Sequence, residues 1–286
     1  MLQNAAVRAW LGGVDPAWTL LDGRSFDALQ HTPPSTFGGP IRLAANLSAE
    51  ELRRSPFHSG MVALLRAGTQ GDGLRLTATG NLSRAVVAEM IDHFLWPAFD
   101  RAEAFRLHKV VNEPDFFPLH LARQLAETTR LLRRLKGHLK ASPRGRSALE
   151  EANLPALAAL LFHFVMWKID LSDLGRGLHG RWPQGDIGVV LWSLSVAAGD
   201  WQAPERLTRL CTIPINGVLE STWDSGSLAM EARILKPLLW FGLLEHRREP
   251  VEGKLLASRH LYRKTELFDR FVAFAVKTEA DAALRH

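Results

Sequence analysis

Between Leu119 and Arg146 the hydrophobic period changes twice, and no other stretch constrains the fold as tightly. Leu119, Ala122, Leu125 and Ala126 recur at the spacing that gathers side chains on one face of a helix. Beyond Arg134 the period shortens, because Leu139 and Ala141 alternate with His138 and Lys140 as in a half-buried strand. Lys136-Gly137 reads as a tight turn, glycine reaching positive φ with no Cβ to clash. Ser142-Pro143 then reopens a helix, with serine as N-cap and proline at the first helical position. The expected order is helix, strand, turn, strand, helix.

The same stretch concentrates charge. Arg130 to Arg146 holds seven Lys or Arg and no carboxylate, and from Phe116 to Ala148 the only acid is Glu127. Just upstream lie Asp92, Asp100, Glu103, Glu113 and Asp115. The whole chain is only modestly basic, at +5, so the charge is segregated along it. Two explanations compete: an element that faces nucleic acid, or a solvated hairpin whose cations block edge-to-edge strand pairing.

Echoes of the pattern suggest repetition. Leu74 to Gly80 matches Leu139 to Gly145 in apolar, hydroxyl and glycine positions. A helical pattern with Met61, Leu64 and Leu65, stopped at Gly68, precedes it, and Ser83 opens another after it. A looser copy ends at Tyr262-Arg263-Lys264-Thr265, after a long loop through Gly253 and with Phe268 in place of the glycine. These echoes place two wing-bearing units in 55–150 and a third in 212–286. Between them, at 151–211, Ile187, Val190, Leu191 and Leu194 and the Trp-rich flanks (Trp167, Trp182, Trp192, Trp201) read as a packed helical hub. Residues 1–54, with Gly12-Gly13, Pro33-Pro34 and Gly38-Gly39-Pro40, read as an irregular lead-in. A last helix, Glu266 to Ala283, is expected to close the third unit through Leu267, Phe268 and Phe271. The fold class is α+β, predominantly α, with winged-helix-like units around a helical hub.

The run LLRRLKGHLKASPRGR at 131–146 resembles the wing of winged helix-turn-helix regulators. More narrowly, GLRLTATGNLSRAVVAEMID and KVVNEPDFFPLHLARQLAETTRLLRRLKG resemble a region of uncharacterised bacterial proteins related to a plasmid open reading frame. Some of those proteins carry a mobile-element passenger domain. The resemblance spans about residues 55–285 and implies no assigned catalytic residues. The winged-helix resemblance implies a helix in the major groove and a wing on phosphates. The reader would be Leu119 to Arg130 with His120, Arg123, Gln124 and Glu127 outward, Arg123 and Gln124 suiting guanine and adenine edges. Arg133, Arg134, Lys136 and Lys140 would contact phosphates, and Arg130, Arg144 and Arg146 complete the basic set.

Signatures of catalysis are missing from the sequence: it contains no GxSxG elbow, no phosphate loop ending in Gly-Lys-Ser/Thr and no HExxH pair. His108, Glu113, Asp115 and His120 carry metal-ligand chemistry, but their spacing fits no ligand motif, and Asp115 reads as a helix cap. Asp115 is also too far from Glu252 and Lys254 to form a nuclease-like set. The single cysteine, Cys211, excludes an internal disulfide. No cofactor and no metal are expected. The most apolar segment, Leu154 to Trp167, is interrupted by Pro155 and His163 and falls short of the roughly 20 residues of a spanning helix. The N-terminus lacks a basic-then-apolar leader, so a cytoplasmic location away from membranes is expected. Together these point to a non-enzymatic DNA-binding or regulatory protein whose partner is duplex DNA. The alternative is a protein-interaction scaffold of plasmid, phage or mobile-element context that binds no nucleic acid.

Overall fold

Ser55 starts the first long helix, α1 (Pro56–Ala67), by accepting the His58 amide at 3.2 Å, with Pro56 where its missing N–H costs nothing. The computed structural model containing it describes residues 3–97, 99, 101–107, 110–250 and 258–280. The chain divides into two compact units, residues 45–162 and residues 1–44 with 163–286. In both, helices dominate and the sheets are small and antiparallel.

In residues 45–162, α1 is followed by β1 (Leu74–Arg75), α2 (Arg84–Met90), α3 (Phe117–Thr128) and a hairpin of β2 (Leu132–Leu135) and β3 (His138–Ala141). The sheet order is β1-β3-β2. Leu74 pairs with Leu139, and Leu132 with Ala141, and all four side chains are buried against the helices. The two-residue period then puts Arg75, Arg133, Leu135, His138 and Lys140 on the opposite, outward face. Gly68, at the end of α1, is what allows the hairpin to approach. Its carbonyl accepts the Ala141 amide at 2.8 Å, and a Cβ would sit 2.8 Å from the Leu132 side chain.

The hairpin, its Lys136-Gly137 turn and the Ser142 cap lie where the sequence places them. The echo at 74–80 has a different meaning. It is no separate unit: β1 hydrogen-bonds directly to β3, so the matching residues are neighbours in one sheet. Two strands on the same buried face obey the same alternation, which is why they look like copies.

The other unit repeats the order of elements. It runs α4 (Ile187–Ala197), a bridge from Gln202 to Tyr262, α5 (Pro204–Cys211), and a continuous helix α6 made of Ser225–Met230, the π turn Glu231–Leu235 and Lys236–Trp240. A hairpin of β4 (Leu244–Pro250) and β5 (Ser258–Lys264) follows. Unlike α3, α6 is enclosed nearly all round, with Ala229, Met230, Ile234, Leu235 and Leu238 fully buried. Arg233 is buried with them and donates to the carbonyls of Trp182, Ser172 (3.0 Å) and Leu178 (2.5 Å), tying down the loop ahead of α4.

Three further expectations need correction. Residues 1–44 are not a lead-in but part of this second unit: Ile41–Leu43 pairs with Val272–Phe274, and the Leu29 carbonyl lies against Gly188, where a Cβ would be 2.1 Å away. The apolar hub divides, Leu154 to Phe162 belonging to the first unit and α4 to the second. The helix expected over 266–283 is helical at its start only over Glu266–Phe271, because from Val272 the backbone trades helical bonds for strand pairing. Its Leu267, Phe268 and Phe271 are buried in the unit, as closure requires. Gly253, Glu252, Lys254 and the stretch 281–286 lie outside the described residues. Among the described residues no helix is long and apolar enough to cross a membrane.

Candidate nucleic-acid interface

The basic stretch begins where α3 ends. Arg130 adopts a left-handed conformation (φ 58°), the Leu131 amide reaches back to the Ala126 carbonyl, and the Arg130 amide bonds that of Glu127. This is the glycine-type helix stop, occupied here by arginine. The hairpin turn repeats the anomaly, with Lys136 at φ 46° before Gly137 at φ 77°. A non-glycine residue in that region costs about 1–2 kcal/mol, so two cations stand where glycine would be cheaper. Their side chains are exposed and make no ion pair among the described residues, as is also true of Arg133, Arg144 and Arg75. Arg75 was not singled out from sequence. Only its pairing opposite His138 brings it to the outward face of the hairpin.

The remaining expected contacts are occupied within the fold. Arg123 does not face outward but is buried, its Nε 2.5 Å from Glu113 Oε1 and an Nη on Glu127. Glu127 also accepts from Arg134 Nε at 2.6 Å, which holds the Arg134 guanidinium above its ordinary pKa. Lys140 leans on the Gly71 carbonyl (3.3 Å) and Asp72 (3.6 Å), and Arg146 donates to the Ala141 carbonyl at 2.7 Å. The basic run is thus of two kinds: Arg134, Lys140 and Arg146 brace the hairpin, while Arg130, Arg133, Lys136 and Arg144 are uncommitted.

Glu113 anchors the braced set. It is fully buried and also accepts the Leu82 amide at 2.5 Å and His120 Nδ1 at 2.7 Å. On its far side His120 Nε2 lies 2.8 Å from the Gln124 amide nitrogen. The exposed strip of α3 is therefore narrow, made of His120, Gln124, Glu127 and Thr128 with Phe117 at its start. Of the four residues with metal-ligand chemistry, Glu113 and His120 bond each other, Asp115 caps the Asn112 amide at 2.9 Å, and His108 lies outside the described residues.

The second hairpin is basic too, with Arg247, Arg248, Arg259, Arg263 and Lys264 against Glu245 and Glu249, but unlike the first it carries carboxylates on its own strands. Arg247 pairs with Glu249 (2.6 Å) and Arg263 with Glu245 (2.7 Å). The same two guanidinium groups clasp the Trp201 ring at 4.5 and 4.8 Å, so this tryptophan is a packing partner of cations.

The segment that carries the braced network and the free cations is also the segment with known relatives. Residues 53–154 match the Y4jL N-terminal domain. Over 110 residues the chain is 39% identical to the uncharacterized protein y4jL of Sinorhizobium fredii, an alignment covering 38% of this chain and 49% of that protein. The chain thus spans about half the length of the curated relative it matches. Both similarities are to an uncharacterised bacterial family, and no solved structure matches the chain.

Proposed function

We propose that residues 45–162 form a winged-helix unit that binds duplex DNA without catalysing a reaction, its hairpin against the phosphates and the exposed strip of α3 toward the bases. The order helix, strand, helix, helix, hairpin with sheet order β1-β3-β2 supports the winged-helix reading. The observation that carries the functional reading is the set of uncommitted cations along the hairpin, from Arg130 at its base through Arg133 to Lys136 at its tip, two of them held in left-handed backbone. Strain of that kind persists where the side chain is worth more than the glycine that would relieve it. Phosphate contacts need charge that is not already neutralised, and the braced residues then serve to hold the hairpin still.

One observation favours the interaction-scaffold alternative: Leu135 is 41% exposed beside the tip of the hairpin. A titration of random-sequence duplex with the full chain at 50 mM and at 200 mM salt separates the two. Phosphate binding gives an affinity that falls steeply between these concentrations. A protein-binding hairpin gives no saturable duplex binding at either.

A further inference from the structure

We infer that Gln124 reads an adenine edge in the major groove, its amide set in advance by His120 and Glu113. The inference rests on the duplex-binding reading above and adds which base is recognised and which residues fix the choice. Glu113 is a buried carboxylate and only accepts, so the imidazole nitrogen facing it, Nδ1 at 2.7 Å, carries the proton. The group that faces the other ring nitrogen is the Gln124 amide nitrogen, which can only donate, so Nε2 accepts. That bond, at 2.8 Å, holds the NH2 end of the amide at the ring. His120 and Gln124 are four residues apart on α3, so the arrangement lies along the exposed strip of the helix.

What remains free on Gln124 is its carbonyl oxygen and its second N–H, an acceptor beside a donor. Adenine offers the complement in the major groove, an N6 amino donor beside the N7 acceptor. Guanine offers two acceptors, so the held carbonyl would face O6. Turning the amide over only sets the carbonyl against N7 instead, and presenting both N–H groups to guanine would give up the bond to His120. Arg123 contributes indirectly: it bonds the same Glu113 oxygen and so keeps the carboxylate in place. Gln124 is the reading residue, and His120 and Glu113 are positioning residues.

The test is selection by the full chain from a randomised duplex pool, followed by titration of the enriched duplex and of single-base variants. The wild type should enrich adenine at one position and lose on the order of tenfold in affinity when it is replaced by guanine. Gln124→Ala should abolish that preference, and Gln124→Glu, which can only accept, should move it toward cytosine. His120→Ala should flatten the adenine-to-guanine ratio with its urea midpoint close to that of Gln124→Ala, a readout that a purely structural role for His120 would leave unmoved. Salt-dependent duplex binding with no enriched base, or with an adenine preference that survives Gln124→Ala, overturns the inference and leaves the binding reading standing. Absence of any duplex binding overturns both.

Discussion

Replacing Arg130 and Lys136 together by glycine should make the protein more stable and a poorer binder of DNA. Both residues sit at positive φ, 58° and 46°, at a cost of about 1–2 kcal/mol each that glycine does not incur. Glycine gives back roughly 0.5–1 kcal/mol per site through the freer unfolded chain. Only charge is lost from the folded side, since the structural bonds at these positions use backbone carbonyls: that of Arg130 accepts from Ser142 and that of Lys136 lies 3.1 Å from His138 Nδ1. The sites share no side-chain partner, so their effects should add, for a net gain of about 1–2 kcal/mol. With a urea m-value of about 2 kcal/mol/M this is roughly half a molar or more in midpoint. The assay is urea unfolding of wild type and double variant, paired with titration of random duplex. A lower midpoint would refute the claim that these cations are held in strained backbone, and a raised midpoint with undiminished affinity would refute the reason offered for keeping them there.

Other expectations follow from the buried side of the same unit. Glu113→Ala leaves the buried Arg123 guanidinium with Glu127 as its remaining carboxylate and the Leu82 amide without its acceptor, and should cost about 1–3 kcal/mol in urea unfolding, whereas Glu113→Leu with Arg123→Met should recover part of it. Gly137→Val forces a β-branched residue to φ 77° and should cost about 1–2 kcal/mol. Gly68→Ala drives a methyl to 2.8 Å from Leu132 and 3.2 Å from the Ala141 amide, so overpacking should cost a comparable amount, about 1–3 kcal/mol. Burial pushes His58 from its ordinary 6.5 down to about 4, so in acid the unfolded chain takes up the proton first. Its contribution to stability is intact above pH 6.5 and is lost as pH falls from 6.5 toward 4, at roughly 1.4 kcal/mol per pH unit. Denaturation midpoints across that window should show the slope in wild type and lose this component in His58→Leu.

The hairpin was legible because its signals are local: a two-residue alternation, a Lys-Gly turn and a Ser-Pro helix start within a dozen residues of one another. What was misread depended on distant partners. Arg123 occupies a helical position that a wheel would turn outward, but Glu113, ten residues upstream, is buried and draws it in. The i,i+4 pair of Arg123 and Glu127 was the one local sign that this arginine had an internal partner. The echo at 74–80 was a true pattern with a false cause, since strands that share a buried face share an alternation whether or not they are repeats. Residues 41–43 and 272–274 form one ladder across most of the chain length, a pairing that no local period announces. The similar element order of the two units was partly visible in the second hairpin, but the short bridge from Gln202 to Tyr262 that completes it carries no sequence signature.

Contact between the uncommitted hairpin cations and DNA phosphates is what duplex binding by this unit depends on. Its most direct test is the salt dependence of duplex affinity for wild type and for Arg133→Glu with Lys136→Glu. Each lost phosphate contact should reduce the slope of log affinity against log salt by about 0.9, so the double variant should lose close to two units of slope. The affinity loss should be equal on unrelated duplex sequences, because phosphate contacts carry no base information, and the urea midpoint should be nearly unchanged, because both side chains are exposed. An unchanged slope in a folded variant, or a loss confined to particular sequences, would show that these cations do not touch the phosphates.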